Sequence, residues 1–393
     1  MTKYTPDFLK QMSLQTDPEC EAIIGNIAAQ KDFTALRDLF KQLDSNNDIA
    51  SGSALPESVI KYFNSNNQLP VWADQKKIKI AQQVFAQYGP EIALILNYKA
   101  LPLCYSCRNG AKVLATTGRL SSQGNDTSKL MRRLLETSQM VINVLAEGGL
   151  APNGEGIITV KKVRLYHAAI RFFLLHPHKN VEPWNKAYYG MPINQEEMAG
   201  TLMAFSALVI NGLTQIGVDL TTAQKDAYMH TWNIVGHFIG LDPKLYPASF
   251  AEGWELGIAI IKRNNEESAD GKFLVDSLIK NSQVYFFKGP VLNPIPEYLI
   301  GFFIEDVSKA INVDMAKIIG LDTHLNFFEK LERKLFLGAM ELVGDIEDHM
   351  TIVKQILAKS SSKHLQELVD QYLNVNKVAF YIPDSLKAGW NMK

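Results

Sequence analysis

From Met198 to Val218 the chain runs for 21 residues without a charge: M-A-G-T-L-M-A-F-S-A-L-V-I-N-G-L-T-Q-I-G-V. That length would span a bilayer. Such a run must either enter lipid or be wrapped by enough helix to bury it. Thr201, Ser206, Asn211, Thr214 and Gln215 interrupt it, and polar side chains are costly in lipid unless paired. The run therefore reads as a central helix of a protein core, and no transmembrane span is expected. With 393 residues, 47% of them hydrophobic, the chain can build such a core.

Helical periodicity dominates elsewhere too. Strand-like alternation is scarce, and no Asn-Gly or Asp-Gly turn joins two alternating runs. The pattern predicts helices near 20–44, 54–66, 74–100, 127–147, 157–175, 193–216, 221–240, 246–263, 269–282 and 296–312. Three more are expected near 323–341, 345–360 and 363–376. Asn194 and Thr221 or Thr222 are placed as N-caps. An all-α fold follows, with an N-terminal helical extension (1–70), a large helical domain (71–320) and C-terminal helices on the same core (321–393).

A formal net charge of -1 gives no basic field for nucleic acid. The first residues, M-T-K-Y-T-P-D-F-L-K, lack the apolar core of an export signal, so a cytoplasmic location is expected. Three cysteines do not make a disulfide scaffold, and Cys104 and Cys107 lack the second ligand pair of a zinc site. Among eight histidines none follows a Glu by three positions, and H-E-x-x-H is missing. His230 and His237 share a helix face too far apart for one metal, and His230, beside Trp232, reads as a satisfied core histidine or as a pocket-lining one. No phosphate-binding glycine loop or G-x-S-x-G elbow is found.

One stretch resists a purely structural reading: K-V-R-L-Y-H-A-A-I-R-F-F-L, Lys162 to Leu174. Arg164, His167 and Arg171 fall at offsets that share a helix face, and most of the remaining surface is apolar. A buried arginine needs an anion, and a buried histidine needs a partner or a metal. Haem would supply both, with iron for the imidazole and two propionates for guanidinium groups. Two arginines reaching solvent, beside a quietly packed histidine, would explain the pattern equally well. On K-L-M-R-R-L-L-E-T-S-Q, Arg133, Glu136 and Thr137 also share a face. Facing the same ligand, they offer charge-assisted donors, a carboxylate and a hydroxyl, the groups expected where dioxygen is held. The alternative is an intrahelical Arg133–Glu136 ion pair.

Together these segments resemble the latex-clearing protein, or rubber oxygenase, family, whose wider superfamily includes MpaB-like oxygenases. The matching text is R-x-x-x-T at 133–137 and V-R-L-Y-H-A-A-I-R at 163–171. It continues with W-N-K-A-Y-Y-G-M-P-I-N-Q-E-E-M-A-G-T-L-M-A-F at 184–205 and Y-M-H-T-W-N-I-V-G-H-F-I-G at 228–240. The resemblance implies an all-α fold around a noncovalent haem b. His167 would be the proximal iron ligand, Arg133 and Thr137 would line the distal side, and Arg164 and Arg171 would support the haem or its propionates. It implies an oxidoreductase that uses dioxygen on an apolar, unsaturated, isoprenoid-like substrate. The run 198–213 and the region of Trp232 and Phe238 would line the substrate channel. Where rubber-cleaving members carry a distal lysine this chain has Glu136, which could serve as a distal acid or base. Where they carry a histidine after the second arginine it has Phe172. No carboxylate is placed as the family's upstream base; Asp126 is the nearest. A haem or lipid-like ligand carrier or sensor, and a cofactor-free helical scaffold, are the alternative functions.

Overall fold

The structure is a computed structural model that describes residues 3–29, 39, 55–116, 128–176, 182–287, 289 and 293–321. Its named elements are all helices. The one extended feature is an isolated antiparallel bridge, Cys107 to Asn265. The expected C-terminal helices beyond 322, Asp126 and most of the 30–54 segment lie outside the described residues.

The first two helices are α1 (Pro6–Met12) and α2 (Pro18–Ala29), followed by α3 (Glu57–Asn64) and α4 (Gln75–Ile95). Helix α4 kinks at Tyr88, because Pro90 has no N–H to donate and crowds the preceding turn. It then runs through a π turn, Leu96–Ala100, into α5 (Leu101–Ser106) and α6 (Arg108–Thr116). The π turn projects Lys99 into the core. There its Nζ donates to Gln215 Oε1 (2.6 Å), the Phe303 carbonyl (2.7 Å) and Asp306 Oδ1 (2.9 Å). Burial lowers the Lys99 pKa to about 8. The short helices α1, α5 and α6 were not legible as periodic patterns.

Helices α7 (Ser128–Leu145) and α8 (Glu155–Leu175) form an antiparallel pair across a glycine-rich turn. A Cβ on Gly156 would lie 2.7 Å from the carbonyl oxygens of Asn143 and Gly149. Only a bare Cα lets the start of α8 approach the end of α7 this closely. The short α9 (Lys186–Tyr189) leads to the chargeless run.

That run is two helices rather than one, α10 (Gln195–Phe205) and α11 (Ala207–Gln215), broken at Ser206 (φ -117°, ψ -82°). The Ser206 hydroxyl donates to the Leu202 carbonyl at 2.7 Å, a local bond that competes with the helix ladder and bends it. By length and composition Gln195–Gln215 could cross a membrane, yet 67% of its most apolar window is buried inside the fold. It is packed by α1, α4, α5, α12 (Thr222–Phe238) and α13 (Phe250–Asn264). Helices α14 (Ala269–Tyr285), α15 (Ile295–Ile311) and α16 (Met315–Ile318) close the far side. Asn194 caps α10 by accepting from the Glu197 N–H, and Thr221 makes a capping box with Gln224, as the sequence indicated.

The apolar interior is two clusters. The main one gathers α4, α10–α13, α15 and also Tyr4, Leu9 and Met12 from the N-terminus. A smaller one joins Cys20, Ile24 and Ile27 to Val59, Tyr62 and Phe63, and to Leu165, Tyr166, Ala168 and Ala169 of α8. Helix α8 therefore serves both: Ile157 and Val160 pack in the first cluster, Leu165 to Ala169 in the second. Its polar stripe emerges at their junction.

Candidate functional site at the junction of α7, α8 and α10

Lys161 begins the polar stripe of α8. Its buried Nζ donates to the Tyr62 carbonyl (2.7 Å) and Asn67 Oδ1 (2.6 Å), and also contacts the Ser65 carbonyl. These partners satisfy the C-terminal end of α3, which would otherwise leave carbonyls unpaired.

Arg164 is clasped from α2 and the turn before it. Its Nε and Nη2 meet the two oxygens of Asp17 at 2.7 and 2.8 Å, and Nη2 also reaches Glu19 Oε2 at 2.7 Å. This is the two-pronged geometry that guanidinium favours. The fit needs a glycine nearby: at Gly240 (φ +83°) a Cβ would lie 2.5 Å from Arg164 Nε.

Arg171 is 1% exposed. Its Nε donates to Glu21 Oε1 (2.6 Å) and its Nη1 to the Ile193 carbonyl (2.8 Å), while Nη2 is buried with no partner among the described residues. Both arginines thus find carboxylates on the N-terminal segment, as a structural role for them requires. The pairing does not account for Nη2 or for the residue between them.

That residue, His167, makes no hydrogen bond among the described residues, and its Nδ1 is buried without a partner. Burial, then the positive charges of Arg171 and Arg133, push its pKa down to about 3. The imidazole is therefore neutral and keeps an unshared lone pair, the state a metal ligand requires. Arg133 on α7 is thus among the charges that act on the α8 imidazole.

On α7, Glu136 accepts from both Arg132 Nε (2.8 Å) and Arg133 Nη1 (2.7 Å). The intrahelical ion pair is real, but the Glu136 side chain is only 12% exposed, so it lies inward rather than on the surface. With both oxygens engaged, Glu136 orients Arg133. Thr137 has no hydrogen-bond partner among the described residues. Phe172, after the second arginine, stacks on His176 with centroids 4.4 Å apart.

Two residues escaped the sequence reading. Ile193 sits at φ +51°, a left-handed conformation that a β-branched side chain rarely adopts. This strained turn aims its carbonyl at Arg171. Four residues on, the part-buried Glu197 has an Oε1 that is enclosed with no partner among the described residues. Burial raises its pKa to about 8, against the opposing pull of the Asn194 and Ile193 amides and of Arg171. In sequence Glu196-Glu197 reads as the ordinary acidic first turn of a helix. Glu196 fits that description better: it is held by Arg263 (2.6 Å) and Asn264 (2.8 Å).

The other motifs have structural partners. His230 Nε2 accepts from the Asp74 N–H at 2.9 Å, and Trp72 lies edge-on to both His230 and His237. Cys104 and Cys107 are free thiols whose pKa values burial raises. Trp232 stacks on Phe205 and is 1% exposed, and Phe238 is 4% exposed. Both are core side chains rather than an open channel lining.

Among the described residues no group of three or more His, Cys, Asp or Glu could hold a metal ion. A haem iron, already bound by four ring nitrogens, needs only one protein ligand. A neutral partnerless imidazole beside a buried guanidinium with a free donor fits that need.

Comparison with known proteins points to one family. The family described as ER-bound oxygenase mpaB/B′/rubber oxygenase, catalytic domain, matches residues 99–301, just over half of the chain. A rubber oxygenase from Streptomyces sp. (strain K30) is 23% identical over 240 residues, which cover 60% of this chain and 55% of that protein. The match thus spans little more than half of the relative's length. The structure of latex clearing protein in its closed state superposes with a TM-score of 0.66 over 95% of each chain, at 17% identity.

Proposed function

The chain belongs to the mpaB/rubber oxygenase catalytic-domain family, and from that premise we propose that it is a haem-b-dependent oxygenase acting on an apolar, unsaturated, isoprenoid-like substrate, with His167 as the proximal ligand. The observation that carries the reading is His167 itself. A part-buried, neutral imidazole lies between two arginines on a helix inside the family-matched span, and its Nδ1 is buried with no partner among the described residues. A histidine kept only for packing would be expected to give that buried nitrogen a partner.

Bound there, haem would supply the iron that activates dioxygen for cleavage of a carbon–carbon double bond. The chain's own residues do the rest. His167 presents its lone pair, and Arg171 offers Nη2 to an anionic group such as a propionate. Arg133, oriented by Glu136, and Thr137 present donors that favour charge developing on a bound oxygen. The buried apolar surface of α10 and α11 excludes water and suits an apolar substrate. Arg164, already held by Asp17 and Glu19, supports α8 from behind. Cytoplasmic location and the lack of a nucleic-acid partner belong to the same proposal.

The test is an absorption spectrum of the purified protein, oxidised and then reduced with dithionite, beside a haem-reconstituted sample. An intense Soret band that shifts on reduction and is lost in His167→Ala is expected. Oxygen uptake with cleaved product on adding polyisoprenoid or carotenoid then separates an oxygenase from a carrier. One observation favours a cofactor-free scaffold: α2 and the turn before it satisfy Arg164 and part of Arg171. A visible spectrum that stays flat after reconstitution would establish that reading and end the oxygenase assignment.

A further inference from the structure

We propose that segment 69–74 and the start of α4 form a docking surface for a lipid bilayer with anionic headgroups. The surface shares no residue with the site described above, and its binding needs no cofactor.

Val71 is 105% exposed and its neighbour Trp72 is 41% exposed. The Trp72 ring is nonetheless fixed. It lies edge-on to His230 (centroids 5.6 Å apart) and to His237 (6.3 Å), and tilted against Tyr246 (5.7 Å). The backbone beside it is tied to the same helix, since the Asp74 N–H donates to His230 Nε2 at 2.9 Å. Pro70 restricts the chain on the other side. The indole is thus held with part of its surface outward, and Val71 stands clear of the fold. A ring packed on one side and wet on the other suits the headgroup region of a bilayer, where tryptophan is enriched.

Charge is the second observation. Helix α4 opens Gln75-Lys76-Lys77-Ile78-Lys79 and carries no acid before Glu91, which is buried. Lys76 and Lys79 are exposed, three positions apart on the outer face, while Ile78 and Ala81 face the core. Exposed Lys244 lies on the turn that leads to Tyr246. None of these three lysines makes a salt bridge among the described residues. The acids beside them are engaged as caps: Asp74 accepts from the Lys76 N–H and Asp242 from the Lys244 N–H, each at 2.8 Å. Asp74 also sits at the N-terminus of a 21-residue helix, whose dipole offsets part of its charge. The chain as a whole carries a formal charge of -1, so uncompensated cations around an apolar tip are a local feature. Lysines beside a bilayer are drawn to anionic headgroups.

A lipid surface fits this tip better than a protein does. A stable protein interface covers about 800 Å² on each partner, and two apolar side chains supply only a fraction of that. An isoprenoid-like substrate, moreover, collects in lipid rather than in water. That purpose for the docking rests on the oxygenase reading; the docking itself does not.

Co-sedimentation of the full chain with vesicles is the test. Binding is expected to phosphatidylcholine vesicles containing phosphatidylserine, weakening as salt is raised, and not to phosphatidylcholine alone. Val71→Asp removes no packing, so it should fold as wild type and lower binding about tenfold or more. Lys76→Glu and Lys79→Glu should each lower it about fivefold or more. The part of the tryptophan emission that Trp72→Phe removes should shift to the blue when anionic vesicles are added. No binding to those vesicles, or binding unchanged by Val71→Asp and by both lysine variants, overturns the proposal. Equal binding to phosphatidylcholine alone overturns the anionic assignment. A dimer in sedimentation velocity that Val71→Asp dissociates would give the tip to a second copy of the chain and overturn it equally. None of these readouts needs haem. A flat visible spectrum would end the oxygenase reading and leave vesicle binding as it is, and a failure to bind vesicles would leave the Soret test untouched.

Discussion

Arg164 and its partners show how the burial of one acid decides its importance. Asp17 is 3% exposed and meets the guanidinium with both oxygens, whereas the Glu19 side chain is 53% exposed. Removing one member of a buried pair leaves an uncompensated charge, at a cost of about 3–5 kcal/mol, while an exposed pair contributes under about 1 kcal/mol. Asp17→Ala should therefore shift the urea midpoint far more than Glu19→Ala. Glu197 makes a pH-dependent contribution of its own. Its folded pKa is raised from the ordinary 4.5 to about 8, so in that window the folded chain holds a proton that the unfolded chain gives up. Its contribution is full below about pH 4.5 and is lost as pH rises toward 8. Urea midpoints at pH 5 and pH 8 should differ less in Glu197→Gln than in the wild type. At this scale sequence spacing reached His167 and the two arginines, because one helix carries all three. It could not reach the Asp17–Glu21 carboxylates, which lie some 150 positions away in the chain. It passed over Glu197 because an acid in a first turn looks solvated until the fold closes over it.

Helices were the most legible elements, and their interruptions the least. Period alone placed α7, α8 and α12 closely. It read α10 and α11 as one helix, since Ser206 is an ordinary residue in a chargeless run until its hydroxyl bonds back to Leu202. It missed α5 and α6 because they are short and follow directly from the π turn. The turn between α7 and α8 is an element-level constraint on the site, since it fixes the helix of Arg133 against the helix of His167. A methyl group on Gly156 would press on two backbone carbonyls that cannot rotate away. Gly156→Ala should cost about 1–3 kcal/mol by overpacking, read as a lowered thermal midpoint. The two helices would have to separate, so retention of added haem should fall with it. A variant stable as wild type would show that this contact does not set the spacing.

At the scale of the whole molecule, α8 is shared between two apolar clusters and held on its outer side by α2. The family-matched span, 99–301, leaves out α1 to α4 and every carboxylate that answers Arg164 and Arg171. A chain cut to that span should bury two arginines without counter-charge and expose one face of α8. It should unfold without a cooperative transition in urea, followed by circular dichroism. Tolerance to substitution is then not set by the family-matched span alone. Glu21 and Arg171 form an epistatic pair across its border, and a double-mutant cycle on them should return a coupling well above additivity. A change at Arg171 that is harmful alone should become tolerable once Glu21 is neutral. The site therefore depends partly on a segment outside the family-matched span.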